Sequence, residues 1–575
     1  MDKPWLAHYE KGVPATLPYP RIPLFQTLTD SARRYPDQPA VSMILRYLPG
    51  GLKIAAHLTY RQLEALTDRF AAALYALGVR KGDRVAVMLP NTPQFLIAFY
   101  GAMKAGAIVV NTNPTYTARE MKFQFADAGA ETVILLSQSY PNLQQIQKET
   151  PIRRVIITDI HDFVAAPFKG LVKRTLKKEG HLLEVQPQAG VYFLTDLLTK
   201  HPPSPPQVEV TADDVALFQY TGGTTGVPKA AMLSHYNLVV NTIQTKTWLT
   251  TLEPGKERIM GAIPFFHVYG MTVAMSLGIY TGSHIFVVPN PRPIDNVMRI
   301  IQRERCTIYP GVPAMYIGII NHPRVREYDL RSVKACISGA APLAMEVQEK
   351  FEALTGGRLV EGYGLTEAAP VTHCNPIYGL RKAGSIGIPF PDVEAKVVTL
   401  EPLPDGKRGD VPTGQEGELA VRGPQVMLGY WQKPEETAAT KDAEGWLYTG
   451  DIAKMDEDGY FYIVDRKKDL IIVGGYNVVP REVEEVLFTH PKVMEAVVIG
   501  VADQYRNERV KAFVVLKPGE TATAEEIIAY CREHLAPYKV PRFVEFRSEL
   551  PRTMVGKFLR RVLVEEEKAK MGRGQ

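Results

Sequence analysis

The chain reads as a multi-domain α/β protein: a large N-terminal α/β sandwich carrying a small β region, then a small α+β C-terminal domain. Three observations predict this. Its 575 residues exceed the about 250–300 at which single cores stop growing. Through the first half, short continuous apolar runs alternate with segments of helical spacing, the pattern of strands covered on both faces. From Ala395 onward, alternating segments separated by Gly-Asp and Asp-Gly turns mark an antiparallel region, and a compact α+β pattern closes the chain.

Leu24 to Tyr35 carries a helical apolar stripe that Pro36-Asp37 ends. Thr59, with Gln62 three residues on, opens a second helix that runs through Ala76. Val85 to Leu89 is expected as a buried strand and Asn91 to Gly106 as a helix. Ala107 to Val110, Thr132 to Leu136 and Val155 to Thr158 are further strands. Residues 164–179 break the rhythm. Phe168, Leu171, Val172 and Leu176 share one helical face, and Lys169, Lys173, Arg174, Lys177 and Lys178 cover the rest. Such a segment is either a solvated excursion or a strip that lies on an anionic membrane surface. Pro202 to Pro206 reads as an extended linker.

Ile285 to Val288, Cys306 to Tyr309 and Lys334 to Ser338 are expected as three more short strands. The last ends in Ser338-Gly339-Ala340-Ala341-Pro342, whose small side chains let something flat approach the backbone where ligands collect in α/β sheets. Ala395 to Leu400, Glu418 to Val421 and Gly459 to Val464 form the small antiparallel region, with Tyr448-Thr-Gly-Asp451 inside it. The charge run Asp465 to Asp469 precedes Leu470-Ile-Ile-Val-Gly474-Gly475, and the domain boundary is placed here, giving domains 1–467 and 468–575. In the second, helix Pro480 to Leu487 starts on proline. Strands Ala496 to Val501 and Val510 to Leu516, helix Ala524 to His534, a strand near Phe543 and a charged terminal helix follow.

The chain is 45% apolar and 22% charged, as in an ordinary soluble protein. A net charge of +5 is small for this length and implies no general affinity for nucleic acid. Cys306, Cys336, Cys374 and Cys531 lie far apart without a CxxC, so they read as buried or free thiols in a reducing compartment. Met1-Asp-Lys-Pro-Trp has no apolar core of the signal-peptide kind. Lys104, and His267 with Ser283 and His284, interrupt the two longest apolar stretches before they reach the ~20 residues of a membrane span. A cytoplasmic protein, soluble or at most peripheral on a membrane, is expected, and a homodimer is left open.

The chemistry concentrates in Tyr220-Thr-Gly-Gly-Thr-Thr-Gly-Val-Pro-Lys229. Ten residues hold three glycines, three threonine hydroxyls and a lysine. Glycines let backbone N–H groups turn toward a polyanion, and the hydroxyls and ammonium complete a cradle. Pro228 before the lysine and Ala230 after it exclude a Walker A loop, and with it a P-loop phosphotransferase. Alone, the decamer also fits a polar turn between strands. Ile263-Pro-Phe-Phe-His267-Val-Tyr-Gly-Met271 sets one histidine among apolar and aromatic residues, where a satisfied core histidine is the plain reading. In Gly362-Tyr363-Gly364-Leu-Thr366-Glu367, a ring between glycines suits stacking on a base, and the hydroxyl and carboxylate suit a hard cation.

Taken with Tyr448 to Asp451, Asp465 to Gly475 and Pro551-Arg-Thr-Met-Val-Gly-Lys557, these segments resemble the adenylate-forming superfamily, in that family's order and from about residue 25 to about 565. That superfamily includes acyl-CoA synthetases, peptide-synthetase adenylation domains and beetle luciferases. Glu361 to Pro370, Gly423-Pro-Gln-Val-Met-Leu-Gly-Tyr-Trp431, Trp5-Leu and Asp465-Arg-Lys-Lys-Asp-Leu-Ile make the chain look most like bacterial long-chain fatty acid:CoA ligases.

The resemblance implies a two-step reaction. A fatty carboxylate attacks the α-phosphate of ATP, giving acyl-adenylate and pyrophosphate; coenzyme A then takes the acyl group and AMP leaves. An anionic nucleophile must approach an anionic triphosphate, so positive charge has to neutralise both. By resemblance Thr221, Gly222, Gly223, Thr224, Thr225, Gly226 and Lys229 would hold the β- and γ-phosphates, with Mg²⁺ on Thr224 and Glu367. Tyr363 would stack on adenine beside Gly339, Ala340, Ala341 and Pro342, with Gly362, Gly364, Thr366 and Ile463 also in the nucleotide site. Asp451 would bind the ribose hydroxyls, helped by Arg466. Lys557 would reach the carboxylate and α-phosphate. His267, Val268 and Met271 would border the acyl tunnel, and Gly474 and Gly475 the pantetheine tunnel once the small domain turns about Lys468. Met271 departs from the pattern, because a structurally studied long-chain member has a gating tryptophan there; methionine is narrower and more adaptable. Competing readings are a CoA ligase for a medium-chain or aryl acid, a fatty acyl-AMP ligase, and a non-enzymatic lipid or nucleotide carrier.

Overall fold

The computed structural model describes residues 3–221, 228–403, 408–473, 476–503, 507–553 and 558–572. It divides into two compact units, Leu6–Val393 with Arg422–Gly445, and Met1–Trp5 with Glu394–Val421 and Trp446–Gln575.

The larger unit is organised by an eight-stranded sheet in the order Gly429–Tyr430, Lys229–Ser234, Val215–Thr221, Ile108–Asn111, Arg84–Met88, Thr132–Leu136, Arg154–Thr158, Val191–Phe193. From Val215–Thr221 to Val191–Phe193 the strands run parallel, and the first two join antiparallel. Every residue of Thr132–Leu136 is buried, which is why these strands read as continuous apolar runs rather than alternations.

Local chemistry sets the helix starts. Thr59 and Gln62 form a reciprocal capping box at Tyr60–Ala76. Thr92 caps Pro93–Lys104, where Pro93 takes the first turn. Asn91, expected inside that helix, instead stands before it. Its side-chain amide donates to the Gly261 and Ile263 carbonyls, and its oxygen accepts from Phe265 N–H. Lys104 is buried, and its ammonium sits 2.8 Å from Glu64 and 2.6 Å from Asp68 on the neighbouring helix.

Two four-stranded sheets complete this unit, Arg258–Gly261, His284–Val287, Pro39–Tyr47, Lys53–Thr59 and Ala335–Ser338, Arg358–Gly364, Val371–Cys374, Ile388–Pro389. The strand expected at Cys306 to Tyr309 is reduced to a bridge at Ile308, which pairs with Ile259 on one side and Ala335 on the other. Pro310 has no N–H to continue a ladder, and the next donor, Gly311, bonds the Ile337 carbonyl. In the basic segment, helix Lys169–Lys178 turns Val172 onto Ile54 and Val164, with Phe168 and Leu176 packed alongside and Leu171 exposed. Cys306, Cys336, Cys374 and Cys531 are buried free thiols. Among the described residues no helix is long and apolar enough to cross a membrane.

The smaller unit contains an antiparallel sheet, Glu394–Val398, Gly417–Arg422, Leu447–Met455, Phe461–Arg466. A five-stranded sheet follows, in which Asn507–Leu516 pairs antiparallel with Val493–Asp503 and parallel with Phe543–Phe546. Helices Pro480–Thr489 and Ala524–His534 bury Val483, Leu487, Ile527 and Cys531 on one face of it, and Leu563 of Arg560–Gly572 packs with Phe513 in a second cluster.

Candidate functional site

The strand Val215–Thr221 runs out of the parallel sheet and is tied down just before its glycine-rich end. The Tyr220 hydroxyl donates to Asp127 at 2.6 Å. The Gln219 amide accepts from Asn111 at 3.0 Å and donates to the Phe266 carbonyl at 3.0 Å. Thr221 is paired across the ladder with Lys229, so those two sequence-predicted residues stand side by side. Gly222, Gly223, Thr224, Thr225 and Gly226 lie outside the described residues. The Lys229 ammonium sits 2.8 Å from Glu436 Oε2 and 5.3 Å from the centre of the Tyr430 ring.

A second wall comes from the ends of Ala335–Ser338 and Arg358–Gly364, which are parallel neighbours. Ala340 takes φ 68°, the left-handed region an L-residue enters only when its surroundings hold it there. A Cβ on Gly339 would come within 3.0 Å of the Tyr269 ring, and one on Gly364 would fall 2.2 Å from the Pro370 carbonyl oxygen. Gly364 therefore requires glycine for close approach, and at 339 a side chain fits only if the Tyr269 ring gives way by a few tenths of an ångström. Tyr363 is half-buried between Gly362 and Gly364, with its ring edge-on to His373 at 6.0 Å. His373 is fully buried, and burial pulls its imidazole down to about 3. Thr366 and Glu367 follow in the turn Thr366–Ala368, and Glu367 Oε1 accepts from the Tyr430 hydroxyl at 2.7 Å.

The aromatic-histidine segment is brought beneath this wall by Tyr269, whose hydroxyl donates to the Ile337 carbonyl at 2.7 Å and lies 3.2 Å from that of Gly311. His267 is half-buried, and its Nδ1 accepts the Tyr269 N–H at 3.3 Å, which leaves Nε2 to carry the proton of the neutral ring. Val268 and Met271 are buried, with Met271 Sδ 3.6 Å from the Asn111 amide. Met271 opens a π-helical turn, Met271–Ser276, a geometry frequent at functional sites.

The remaining sequence-predicted residues lie in the smaller unit. Asp451 and Arg466 are backbone register partners on paired antiparallel strands. Asp451 follows Gly450, whose φ of 73° turns the backbone and whose N–H is held by Glu418 at 3.0 Å. Ile463 accepts from Arg481 through its carbonyl at 2.8 Å. Lys468 stands in the turn Lys467–Asp469. Gly474, Gly475 and Lys557 lie outside the described residues.

Residues 28–431 match the AMP-binding enzyme family, and residues 482–557 match its C-terminal domain. The chain belongs to the AMP-binding enzyme family. The long-chain-fatty-acid–CoA ligase of Bacillus subtilis is 46% identical over 98% of both chains, and that of Yersinia pestis 41% identical over 99% of this chain and 98% of its own. The crystal structure of ATP-bound MatB from Rhodopseudomonas palustris superposes with a TM-score of 0.80 at 30% identity, covering 96% of this chain and 99% of that one.

Sequence reasoning alone missed Tyr430 and Glu436 in this AMP-binding enzyme. Tyr430 lies in Gly423 to Trp431, a segment noticed only for its resemblance. Its short strand Gly429–Tyr430 pairs with Lys229–Ser234 and so joins the edge of the hairpin that carries the glycine-rich segment. No spacing rule links position 436 to position 229.

Proposed function

We propose that this AMP-binding enzyme is a long-chain fatty acid:CoA ligase, which activates the acid through an acyl-adenylate and transfers it to coenzyme A, releasing AMP and pyrophosphate. The near-full-length similarity to ligases of that name carries the reading, together with the meeting of Lys229 and Glu367 on the two ends of the Tyr430 side chain.

In the adenylation step Thr221 to Lys229 bind the β- and γ-phosphates, and Tyr363 stacks on adenine against Gly339 to Pro342. Asp451 takes the ribose hydroxyls with Arg466. Lys557 bridges the fatty carboxylate and the α-phosphate. Glu367 offers a hard carboxylate oriented by Tyr430, a donor type that suits Mg²⁺, with Thr224 as its partner ligand. When bound, the ion neutralises charge on the triphosphate. His267 presents Nε2–H toward the acyl carboxylate, and Val268 and Met271 line the start of the acyl tunnel. For thioester formation residues 468–575 turn about Lys468, and Gly474 and Gly475 line the path of the thiol. Peripheral membrane contact through residues 164–179 would use the five basic side chains with Leu171, since Val172 packs inward.

The test is acid-dependent pyrophosphate release, with and without CoA, from acetate and coumarate to oleate. Palmitate or oleate should drive release, with acyl-CoA as product, and Lys557→Ala should lose adenylation yet convert supplied acyl-adenylate. Turnover of aryl or short acids only would overturn the substrate class. No release with any acid would overturn the enzyme reading.

A further inference from the structure

The Lys229 ammonium, the fixed positive charge of the phosphate loop, is already paired. Its side chain is 12% exposed, and Glu436 Oε2, 2.8 Å away, is shut off from solvent. The carboxylate is held in place by its own helix, Pro434–Thr440. Thr437 Oγ1 accepts from Tyr430 N–H at 2.9 Å and donates to the Lys433 carbonyl at 2.8 Å. Lys441, just past that helix, donates to the Met427 carbonyl at 2.9 Å. Tyr430 in turn covers Lys229 with its ring and reaches Glu367 with its hydroxyl. Residues 429–437 therefore join the loop lysine to the proposed metal-binding carboxylate.

A carboxylate and a phosphate oxygen compete for the same ammonium, because each brings a negative charge to it at ion-pair distance. We propose that Glu436 is an internal counter-ion that the incoming triphosphate must displace from Lys229, and that it thereby sets the affinity for ATP and speeds the release of pyrophosphate. The inference rests on the ATP-dependent reading above. Glu436 acts through Lys229 and is a positioning residue.

The experiment is ATP–pyrophosphate exchange with a long-chain acid, using the full-length protein and thermal unfolding to confirm folding. Glu436→Gln removes the charge and keeps the shape. It should lower the KM for ATP about fivefold, the scale of a partly exposed ion pair, and tighten pyrophosphate inhibition similarly. The exchange kcat should stay within about twofold of wild type. Glu436→Asp should return KM toward the wild-type value, and the effect of Glu436→Gln should vanish in a Lys229→Met background, as coupling between the two side chains demands. An unchanged or raised KM in Glu436→Gln, or an effect that persists without Lys229, overturns the proposal. Exchange absent from the wild type overturns the ATP-dependent reading and this inference together, whereas exchange present with no shift in the variant sinks this inference alone.

Discussion

The Tyr430 hydroxyl donates a 2.7 Å hydrogen bond to Glu367 Oε1, across 63 positions of sequence. Burial and the neighbouring carboxylate push that hydroxyl far above the usual phenol range, so it stays a donor at every working pH. Tyr430→Phe removes the donor that orients Glu367. With Glu367 as the proposed Mg²⁺ ligand, the Mg²⁺ concentration giving half-maximal adenylation should rise about tenfold, the scale of losing a group that orients a metal ligand. A Mg²⁺ titration identical to wild type would refute this.

In the proposed reaction Tyr363 stacks its ring on adenine, and its hydroxyl takes no part in that contact. Tyr363→Ala should raise the Kd for ATP by about tenfold or more, and Tyr363→Phe should leave it near wild type. Equilibrium binding of ATP in the absence of acid distinguishes the two.

Gly270 closes the turn that carries His267. A Cβ there would fall 2.3 Å from the Pro264 oxygen, a backbone atom that cannot swing aside. Gly270→Ala should therefore cost about 1–3 kcal/mol of stability and displace His267, lowering acid-dependent pyrophosphate release. Urea unfolding and the release assay, run on one preparation, check both halves.

Lys104 forms ion pairs with both Glu64 and Asp68. Removing only the cation strands two carboxylates in a poorly solvated place. Lys104→Met should destabilise by about 3–5 kcal/mol. The same change combined with Glu64→Gln and Asp68→Asn should recover much of that loss, as urea midpoints would reveal.

Burial lowers the imidazoles of His235 to about 4 and of His284 and His373 to about 3. Below about pH 6.5 the unfolded chain takes up protons that the folded chain refuses, so stability is full above 6.5 and falls as pH drops toward 4. Each of the three should contribute a loss of up to about 2 kcal/mol by pH 5. Asp159 works the other way: burial raises it to about 7, so its contribution is present at low pH and lost as pH rises through 7. The melting temperature should therefore fall from about pH 6.5 downward. His235→Asn, which keeps an acceptor for the Leu24 N–H, should flatten that fall.

What could be read from sequence was local. The Thr59–Gln62 cap spans three residues, and its hydrogen bonds form within them. The runs 85–89 and 132–136 showed parallel strands because burial on both faces leaves no room for polar alternation. Gly364 was legible because only glycine fits where a Cβ would strike the Pro370 carbonyl oxygen. The shortened strand at 306–309 was misjudged because its length depends on Pro310 and on a neighbour's register. The face of Lys169–Lys178 was ambiguous for a similar reason. Its stripe of Phe168, Val172 and Leu176 suits a lipid surface or a protein core equally, and the pairing of Val164 with Ala56 brought the core to it.

The sequence by itself determined the alternating strands and helices, the order of the motifs and the charges available to bind a nucleotide, since each depends on neighbouring residues or on composition. Only the tertiary structure decided which charges meet. Lys229 found Glu436, and Glu367 found Tyr430, because a two-residue strand far down the chain adds to the edge of the loop hairpin. Hydrogen bonds and ion pairs act over a few ångströms, and which distant residues come that close is set by packing rather than by spacing along the chain.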